Sequence, residues 1–123
     1  MVDTDVIIWI LRGNEEFKNR FRETVLAADG YIFITPIQIA EIYAGIRKNE
    51  ITETENFVES LNIITIGRKI GKLAGQFINQ YKKSYNVTLA DALIGASAKN
   101  YNFKLWTLNK KHYPMFEDND FYS

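Results

Sequence analysis

The sequence predicts a single α/β domain, residues 1–123, with a mostly parallel central sheet and helices on its faces. Short runs of β-branched and aromatic residues alternate with amphipathic segments along the whole chain. The length suits one domain, and 46% of the residues are hydrophobic, which is enough to bury a core. In folds of this class, ligands bind beyond the carboxyl ends of the strands.

The chain is expected to begin with the end of a strand at residues 1–2, followed by two helices. Asp3 or Thr4 caps the first helix, which runs to about Leu11. Asn14 caps the second, in which large apolar residues recur every four positions and two glutamates occupy the first turn. A glycine follows each helix and ends it.

Two buried strands and two further helices complete the first half. YIFIT, residues 31–35, and NIITI, residues 62–66, are short apolar runs typical of buried strands. A proline at its favoured first position opens a helix over residues 36–49. Thr52 and Glu55 form a predicted capping box for the next helix, TETENFVESL.

The second half is expected to hold a long helix, a short helix and a last strand. The long amphipathic helix covers residues 67–85, and the spacing of Gly71 and Gly75 indicates close approach by a neighbouring element, which makes this helix the candidate dimer contact. A small, apolar helix covers residues 88–101. KLWT, residues 104–107, is the last strand, and LNKKHYPMF follows it as a loop with one helical turn.

The composition excludes several classes of protein. There is no cysteine, so a disulfide framework and a zinc–thiolate site are excluded. The acidic N-terminus does not resemble a signal peptide, and no apolar run approaches the ~18 residues that a membrane span needs. We therefore expect a cytoplasmic protein without a membrane partner.

Charge is distributed unevenly although the formal net charge is zero. Residues 1–60 carry 11 acidic and 6 basic residues, whereas residues 61–116 carry 9 basic residues and a single acid, Asp91. Such asymmetry produces a local positive field that suits a nucleic-acid partner. The alternative is an ordinary helix surface decorated with lysines.

Three carboxylates in the first half lie where burial would be costly without a partner. Asp3 directly follows the first strand and Asp5 lies in the first turn of an apolar helix; helix capping and the helix dipole are the alternative explanation for both. Glu41 lies among isoleucines, with no Lys or Arg three or four residues away. Its alternative is a carboxylate that reaches solvent on a narrow polar stripe with Gln38.

A fourth carboxylate, Asp91, opens the helix that precedes the last strand. Together with Thr88 it has the form of a capping box, which is its structural alternative. It is also the only acid between Glu59 and Glu117. A carboxylate at the start of a helix in a basic region is able both to cap the helix and to take part in a functional site.

These acids are expected to meet at one edge of the sheet. Asp3 ends the first strand, Glu41 lies on the helix after the second, Asp91 opens the helix before KLWT, and Asn109 follows that strand. Carboxylates that meet repel one another unless a divalent cation holds them together. Ligands that are all oxygen favour Mg²⁺ or Mn²⁺ over zinc.

Three blocks in this order resemble the PIN-domain ribonucleases, above all the VapC-type toxins of toxin–antitoxin pairs. The blocks are VDTDVIIWIL, TPIQIAEIYAGI and TLADALIGASAKNYNFKLWTLNKKHY, and together they span nearly the whole chain. The resemblance implies a three-layer α/β/α sandwich, in which a mostly parallel sheet lies between helices.

The resemblance also implies which residues form the site. Asp3, Glu41 and Asp91 are the acidic metal-binding set, and Asp5 borders it as a further metal ligand, next to Thr4.

The segment after the last strand departs from the family pattern. Asn109, beside Thr107, stands where the family often has a fourth acid, and it completes the catalytic set here. His112 stands where an aspartate is also common; a general-base role and an incidental loop histidine are its two interpretations.

The activity that the resemblance implies is hydrolysis of RNA by a water molecule activated by Mg²⁺ or Mn²⁺, leaving a 5′-phosphate. The expected partners are RNA, a cognate antitoxin bound in a groove formed by EEFKNRF and PIQIAEIYAGI, and a second copy of the chain. One alternative is a PIN-like binding module that has lost catalysis, favoured by Asn109. The other is a haloacid-dehalogenase-type phosphatase, suggested by DTDV. It requires a later acidic pair after a strand and a positioned lysine, but no such pair follows KLWT, and Glu117 and Asp118 come late, in a predicted surface turn.

Overall fold

The computed structural model describes the backbone of residues 1–123 and every side chain except that of residue 82. Helices dominate the described chain. The α-helices are α1 (Thr4–Leu11), α2 (Glu15–Ala27), α3 (Pro36–Ala44), α4 (Ile51–Glu59), α5 (Arg68–Tyr85) and α6 (Leu89–Tyr101). Single 3₁₀ turns lie at Lys48–Glu50, Lys110–His112 and Asp118–Asp120. Within the described residues, no helix combines the length and apolarity needed to span a bilayer.

The sheet is small and parallel. Strand β1 (Phe33–Ile34) pairs with strand β2 (Asn62–Ile63) in parallel register. Val2 donates a backbone hydrogen bond to the Phe33 carbonyl, at 3.2 Å. Single-residue parallel bridges then join the pairs Val2 with Trp106 and Leu105 with Phe121. The ladder is therefore shorter than the predicted strands over 31–35, 62–66 and 104–107, but its direction is the predicted one.

Two hydrophobic clusters lie on opposite faces of this sheet. Leu105 belongs to the cluster under α5 and α6, whereas its neighbour Trp106 belongs to the cluster under α1, α2 and α3. Consecutive residues of a strand point to opposite faces, so the sheet separates two helical layers. This is the predicted three-layer arrangement.

Two predicted helix boundaries are wrong, and the close approach predicted from two glycines is not made by any described element of this chain. The helix expected over 36–49 ends at Ala44, and α4 begins at Ile51 without a side-chain cap, so the Thr52–Glu55 capping box does not form. Gly71 and Gly75 lie on the exposed side of α5, where an added Cβ would meet nothing within 4 Å. Close packing inside the described chain does not require these glycines.

Candidate metal centre

The carboxyl edge of the sheet brings distant residues together. Asp3 follows Val2, Thr35 follows β1, and Thr107 follows Trp106. The backbone N–H of Asp3 donates to the Trp106 carbonyl at 2.9 Å. Three strand ends thus present their next side chains at one edge, as parallel topology predicts.

Gln38 fixes two of these strand ends. Its side chain is fully buried; Nε2 donates to the Val2 carbonyl at 3.1 Å, and Oε1 accepts from the backbone N–H of Thr35 at 2.9 Å. Gln38 therefore does not lie on the predicted solvent-facing stripe. Asp3 is the next residue after Val2, so the hydrogen bond from Gln38 to the Val2 carbonyl also helps to fix the backbone position of Asp3.

Asp3 is both the N-cap of α1 and the buried centre of the cluster. It is 7% exposed. Oδ1 accepts from the backbone N–H of Thr4, while Oδ2 accepts from the hydroxyls of Thr107 and Tyr113, each bond being 2.8 Å long. The same side chain thus caps α1 and lies at the centre of the acidic cluster.

Asp5 is held by the segment after the last strand. Its Oδ2 accepts from Asn109 Nδ2 at 2.8 Å and from the Leu108 backbone N–H at 3.0 Å. Partial burial raises the pKa of Asp5, and the nearby charge of Asp3 adds to the rise. Asn109 therefore acts as a donor that orients Asp5 in this arrangement.

Glu41 reaches the cluster from α3. The residue is exposed, but its Oε1 accepts a 2.7 Å hydrogen bond from the hydroxyl of Thr4. Partial desolvation of the carboxyl group raises the pKa of Glu41; the Thr4 hydrogen bond opposes this, and the charges of Asp3 and Asp91 add to it. Both of its proposed features, access to solvent and proximity to the other acids, hold.

Asp91 lies in the first turn of α6. Its backbone N–H donates to Thr88 Oγ1 at 3.1 Å in the helix cap. Its carboxylate faces His112, with 3.5 Å between Asp91 Oδ2 and His112 Nδ1. Partial burial raises the pKa of Asp91; a side-chain hydrogen bond with Thr88 opposes this, and the charge of Asp3 adds to it.

The four acids of the cluster, Asp3, Asp5, Glu41 and Asp91, lack strong cationic partners. Among the described side chains, no Lys or Arg forms an ion pair with any of them, and His112 is the one basic group that faces the cluster. Burial is the main cause of the raised pKa values of three of the carboxyl groups, and the charges of neighbouring acids add to the rise.

The donor set suits a hard divalent cation by chemistry and charge. Four carboxylates supply oxygen ligands, and in Glu41 the hydrogen bond from Thr4 occupies Oε1 and leaves Oε2. As the described side chains lie, however, no three acidic or histidine groups already surround one point in a way that would hold an ion. The cluster fits a metal in composition, while its side chains are presently held by hydroxyl and amide donors.

The acidic pair that a phosphatase would need lies elsewhere. Asp118 belongs to the Asp118–Asp120 turn, which precedes Phe121 in a parallel bridge with Leu105 and so lies at the amino edge of the sheet. Glu117 donates its backbone N–H to Asp120 in the same turn. The phosphatase interpretation is therefore wrong on geometry.

Sequence reasoning missed Tyr113. It lies in a loop, where an aromatic residue indicates packing and nothing more, yet its buried hydroxyl donates to Asp3. Burial raises the pKa of Tyr113, so the hydroxyl stays protonated and remains a donor.

Comparisons with known proteins agree with this architecture. The PIN domain family matches residues 1–118. Ribonuclease VapC10 of Mycobacterium tuberculosis (strain ATCC 25618 / H37Rv) is 34% identical over 120 residues, covering 95% of this chain and 87% of that protein. Ribonuclease VapC19 of the same strain is 26% identical over 119 residues, covering 96% and 94%.

Solved structures show the same fold. A toxin–antitoxin complex from Klebsiella pneumoniae superimposes with a TM-score of 0.78 at 24% identity, covering 99% of this chain and 94% of that one. DNA-bound VapBC from Salmonella typhimurium gives a TM-score of 0.79 at 20% identity, covering 92% and 88%.

Proposed function

The chain belongs to the PIN-domain family, and from that membership we propose that it is a ribonuclease, the toxin of a toxin–antitoxin pair, that cuts RNA with divalent cations. Relatives named as VapC ribonucleases match it over nearly its whole length. The observation that carries the proposal is the cluster of four carboxylates at the carboxyl edge of the sheet, none of which has a Lys or Arg partner among the described side chains.

Asp3, Glu41 and Asp91 would hold Mg²⁺ or Mn²⁺, with Asp5 beside them. A cation bound there lowers the pKa of a water molecule and offsets the negative charge of the reacting phosphate. The chain's own contribution is orientation. Asn109 keeps Asp5 in place through its amide but adds no negative charge, so this site carries one acid fewer than the family often has.

Asp3 is the member whose position is most firmly fixed. Oδ2 already accepts from two hydroxyls, and Oδ1 accepts from one backbone N–H. A carboxylate oxygen has about two good acceptor positions, so the remaining position is on Oδ1. That position of Oδ1 is the part of Asp3 that would remain available to a cation.

A shallow cleft beside the acids suits the antitoxin. The cleft has a volume of about 100 Å³, opens onto Glu41 and is lined mainly by α1, α3 and the segment that leads to α4. Its lining residues are Ile8, Leu11, Arg12, Glu41, Ile42, Gly45, Ile46, Glu50 and Thr54.

An antitoxin segment would place an apolar side chain in this cleft and a basic side chain among the acids. The proposed cleft shares only α3 with the groove expected between EEFKNRF and PIQIAEIYAGI. α3 contributes to it, but Phe17 and Phe21 of α2 pack against the core.

An RNA cleavage assay tests the activity. The purified chain is stripped with EDTA, supplied with Mn²⁺ or Mg²⁺, and incubated with total RNA. We expect cleavage only with metal, with 5′-phosphate ends, and its loss in Asp91→Asn. Asp118→Asn, which removes an exposed acid at the opposite edge, is the matched control.

Metal-independent cleavage, or equal cleavage by the wild type and Asp91→Asn, would contradict the proposal. Binding of RNA without any cleavage in either metal would instead support the alternative of a PIN-like binding module.

A further inference from the structure

Four aromatic rings lie parallel at the amino edge of the sheet, opposite the candidate metal centre. Tyr31 and Phe33 are 6.4 Å apart between ring centroids, with 13° between ring planes. Phe33 and Phe103 are 4.5 Å apart at 16°, and Phe103 and Tyr101 are 5.7 Å apart at 15°. We name these four residues the aromatic ladder.

The chain builds the aromatic ladder from two short segments. Tyr31 and Phe33 are two residues apart at the start of β1, and Tyr101 and Phe103 flank the end of α6. Between the latter, Asn102 adopts a left-handed conformation with φ of 57°, which turns the chain so that Phe103 meets Phe33. The alignment thus depends on a specific backbone turn.

The ends of the aromatic ladder are open to solvent. Tyr31 is 63% exposed and Tyr101 is 44% exposed, while the inner rings are half-buried. Tyr85, the other tyrosine exposed by more than half in the described chain, meets its neighbour Tyr81 edge-on at 69°. Parallel rings with accessible ends leave room for another flat ring to continue the stack.

A second cleft adjoins the aromatic ladder and supplies positive charge. It has a volume of about 180 Å³, and Tyr31 and Lys104 both line it. Trp106 lines it as well, and the guanidinium of Arg20 lies 4.7 Å from the centroid of that ring. None of the described residues that line this cleft is acidic, in contrast to the cleft beside Glu41.

The amino edge therefore offers flat stacking surfaces next to Lys104 and a cleft without an acid among its described lining residues; the exposed Asp118 of the same edge lies outside that lining. Unpaired RNA has this complementary character, because each nucleotide carries a planar base and an anionic phosphate. We propose that the aromatic ladder and its cleft form an accessory site that binds unpaired nucleotides of the RNA substrate. This inference rests on the proposed ribonuclease function.

The metal centre and the aromatic ladder lie at opposite edges of the sheet. Only a long RNA strand would therefore contact both. A domain of this size is roughly 35 Å across, and phosphates of a stacked strand are about 3.4 Å apart, so a strand that reaches from the metal centre to the aromatic ladder needs at least about ten nucleotides. The accessory site would therefore hold RNA that flanks the cut, and it would favour longer unpaired substrates over very short ones.

Binding of a 12-nucleotide single-stranded RNA, measured by fluorescence anisotropy in EDTA so that no cleavage occurs, tests this inference. We expect the double variant Tyr31→Leu and Tyr101→Leu to bind about ten-fold more weakly. Lys104→Gln should reduce the slope of log affinity against log salt concentration by about one, as expected for the loss of one phosphate contact. Tyr85→Leu is the matched control and should bind like the wild type.

Cleavage kinetics separate this inference from the proposed function. For the double variant we expect KM to rise on the 12-nucleotide RNA and kcat to be retained, with an unchanged melting temperature. Unchanged affinity in a folded double variant, or no binding of this RNA by the wild type, would overturn the accessory site. So would a double variant that alters only the oligomeric state in sedimentation, since the aromatic ladder would then contact a second copy. Wild type that binds the RNA through the aromatic ladder but never cuts would overturn the ribonuclease proposal alone.

Discussion

The hydroxyl of Tyr113 donates a 2.8 Å hydrogen bond to Oδ2 of Asp3, and both residues are buried although they lie 110 positions apart. The bond ties the C-terminal loop to the N-terminal strand at the centre of the acidic cluster. A hydrogen bond to an ionised group stabilises a protein more than one between neutral groups. Tyr113 is therefore a positioning residue for Asp3.

Tyr113→Phe removes this donor and leaves the ring in place. We expect the metal-free protein to lose about 1–2 kcal/mol in its free energy of unfolding, and the rise in melting temperature on adding Mn²⁺ to become smaller because Asp3 is less well held. Chemical denaturation with and without Mn²⁺ measures both. Tyr101→Phe, which alters an exposed hydroxyl, is the control; equal effects of the two variants would show that the bond has no positioning role.

The acidic cluster should make the metal-free protein less stable as pH rises. The pKa values of Asp5, Glu41 and Asp91 are raised in the folded state, so between the unfolded values near 4 and the raised folded values the folded state binds more protons than the unfolded state. Stability then falls with increasing pH in this window. Burial lowers the pKa of the Met1 amino group to about 6, which has the opposite effect above that pH. We therefore expect the melting temperature in EDTA to increase on going from pH 6 to pH 5.

Added Mg²⁺ should offset the loss at pH 7, because an ion that binds only the folded state stabilises it. The measurement is best made in a His112→Gln background, which removes the basic side chain that faces Asp91. A melting temperature that stays level or falls on acidification would contradict this account of the cluster.

Asp91→Asn should separate stability from activity. Removing one of several repelling carboxylates is expected to keep or raise the melting temperature in EDTA at pH 7, by up to a few degrees. Metal-dependent cleavage should fall by at least 100-fold, because a predicted ligand is lost. Differential scanning calorimetry and the RNA assay provide the two readouts, and a strongly destabilised variant would show that Asp91 is needed for folding instead.

The cleft proposed for the antitoxin is open to a direct test. Ile46→Lys places a charge on its apolar wall, and we expect at least ten-fold weaker antitoxin binding with cleavage retained. Ile63→Lys puts the same charge on an exposed isoleucine of the edge strand β2 and is the control. Isothermal titration with the purified antitoxin measures the affinity; equal affinity for both variants would place the antitoxin elsewhere.

Much of the site was predictable because parallel topology makes residues that follow different strands neighbours. Asp3, Glu41 and Asp91 could be selected from their positions next to apolar runs alone. The role of Tyr113 could not, because it depends on the path of a loop that no local pattern encodes. The aromatic ladder was likewise not foreseen, since its two halves lie about 70 positions apart and meet only through the turn at Asn102.

The start of α4 was predicted wrongly because two local signals for a helix start lie close together in the sequence. Thr52 and Glu55 have the form of a capping box, but Glu50 accepts a hydrogen bond from the backbone N–H of Arg47 at 3.0 Å. This bond starts a 3₁₀ turn that continues directly into α4. The helix therefore begins before Thr52, and the predicted cap lies inside it.

Gln38 should be critical for stability although it touches none of the acids. It is fully buried, and its amide serves both Val2 and Thr35. In Gln38→Leu the Val2 carbonyl loses a donor, and the N–H and hydroxyl of the fully buried Thr35 lose their shared acceptor. The loss of these buried hydrogen bonds is expected to cost about 2–4 kcal/mol of unfolding free energy.

The same substitution should loosen the start of the site, because Asp3 directly follows the carbonyl that Gln38 holds. We therefore expect a reduced thermal shift with Mn²⁺ as well as the lower baseline stability. Gln76→Leu, at an exposed position of α5, is the matched control and should change neither quantity by more than about 0.5 kcal/mol. If Gln38→Leu unfolds at the wild-type denaturant concentration, the amide does not hold the two strand ends together.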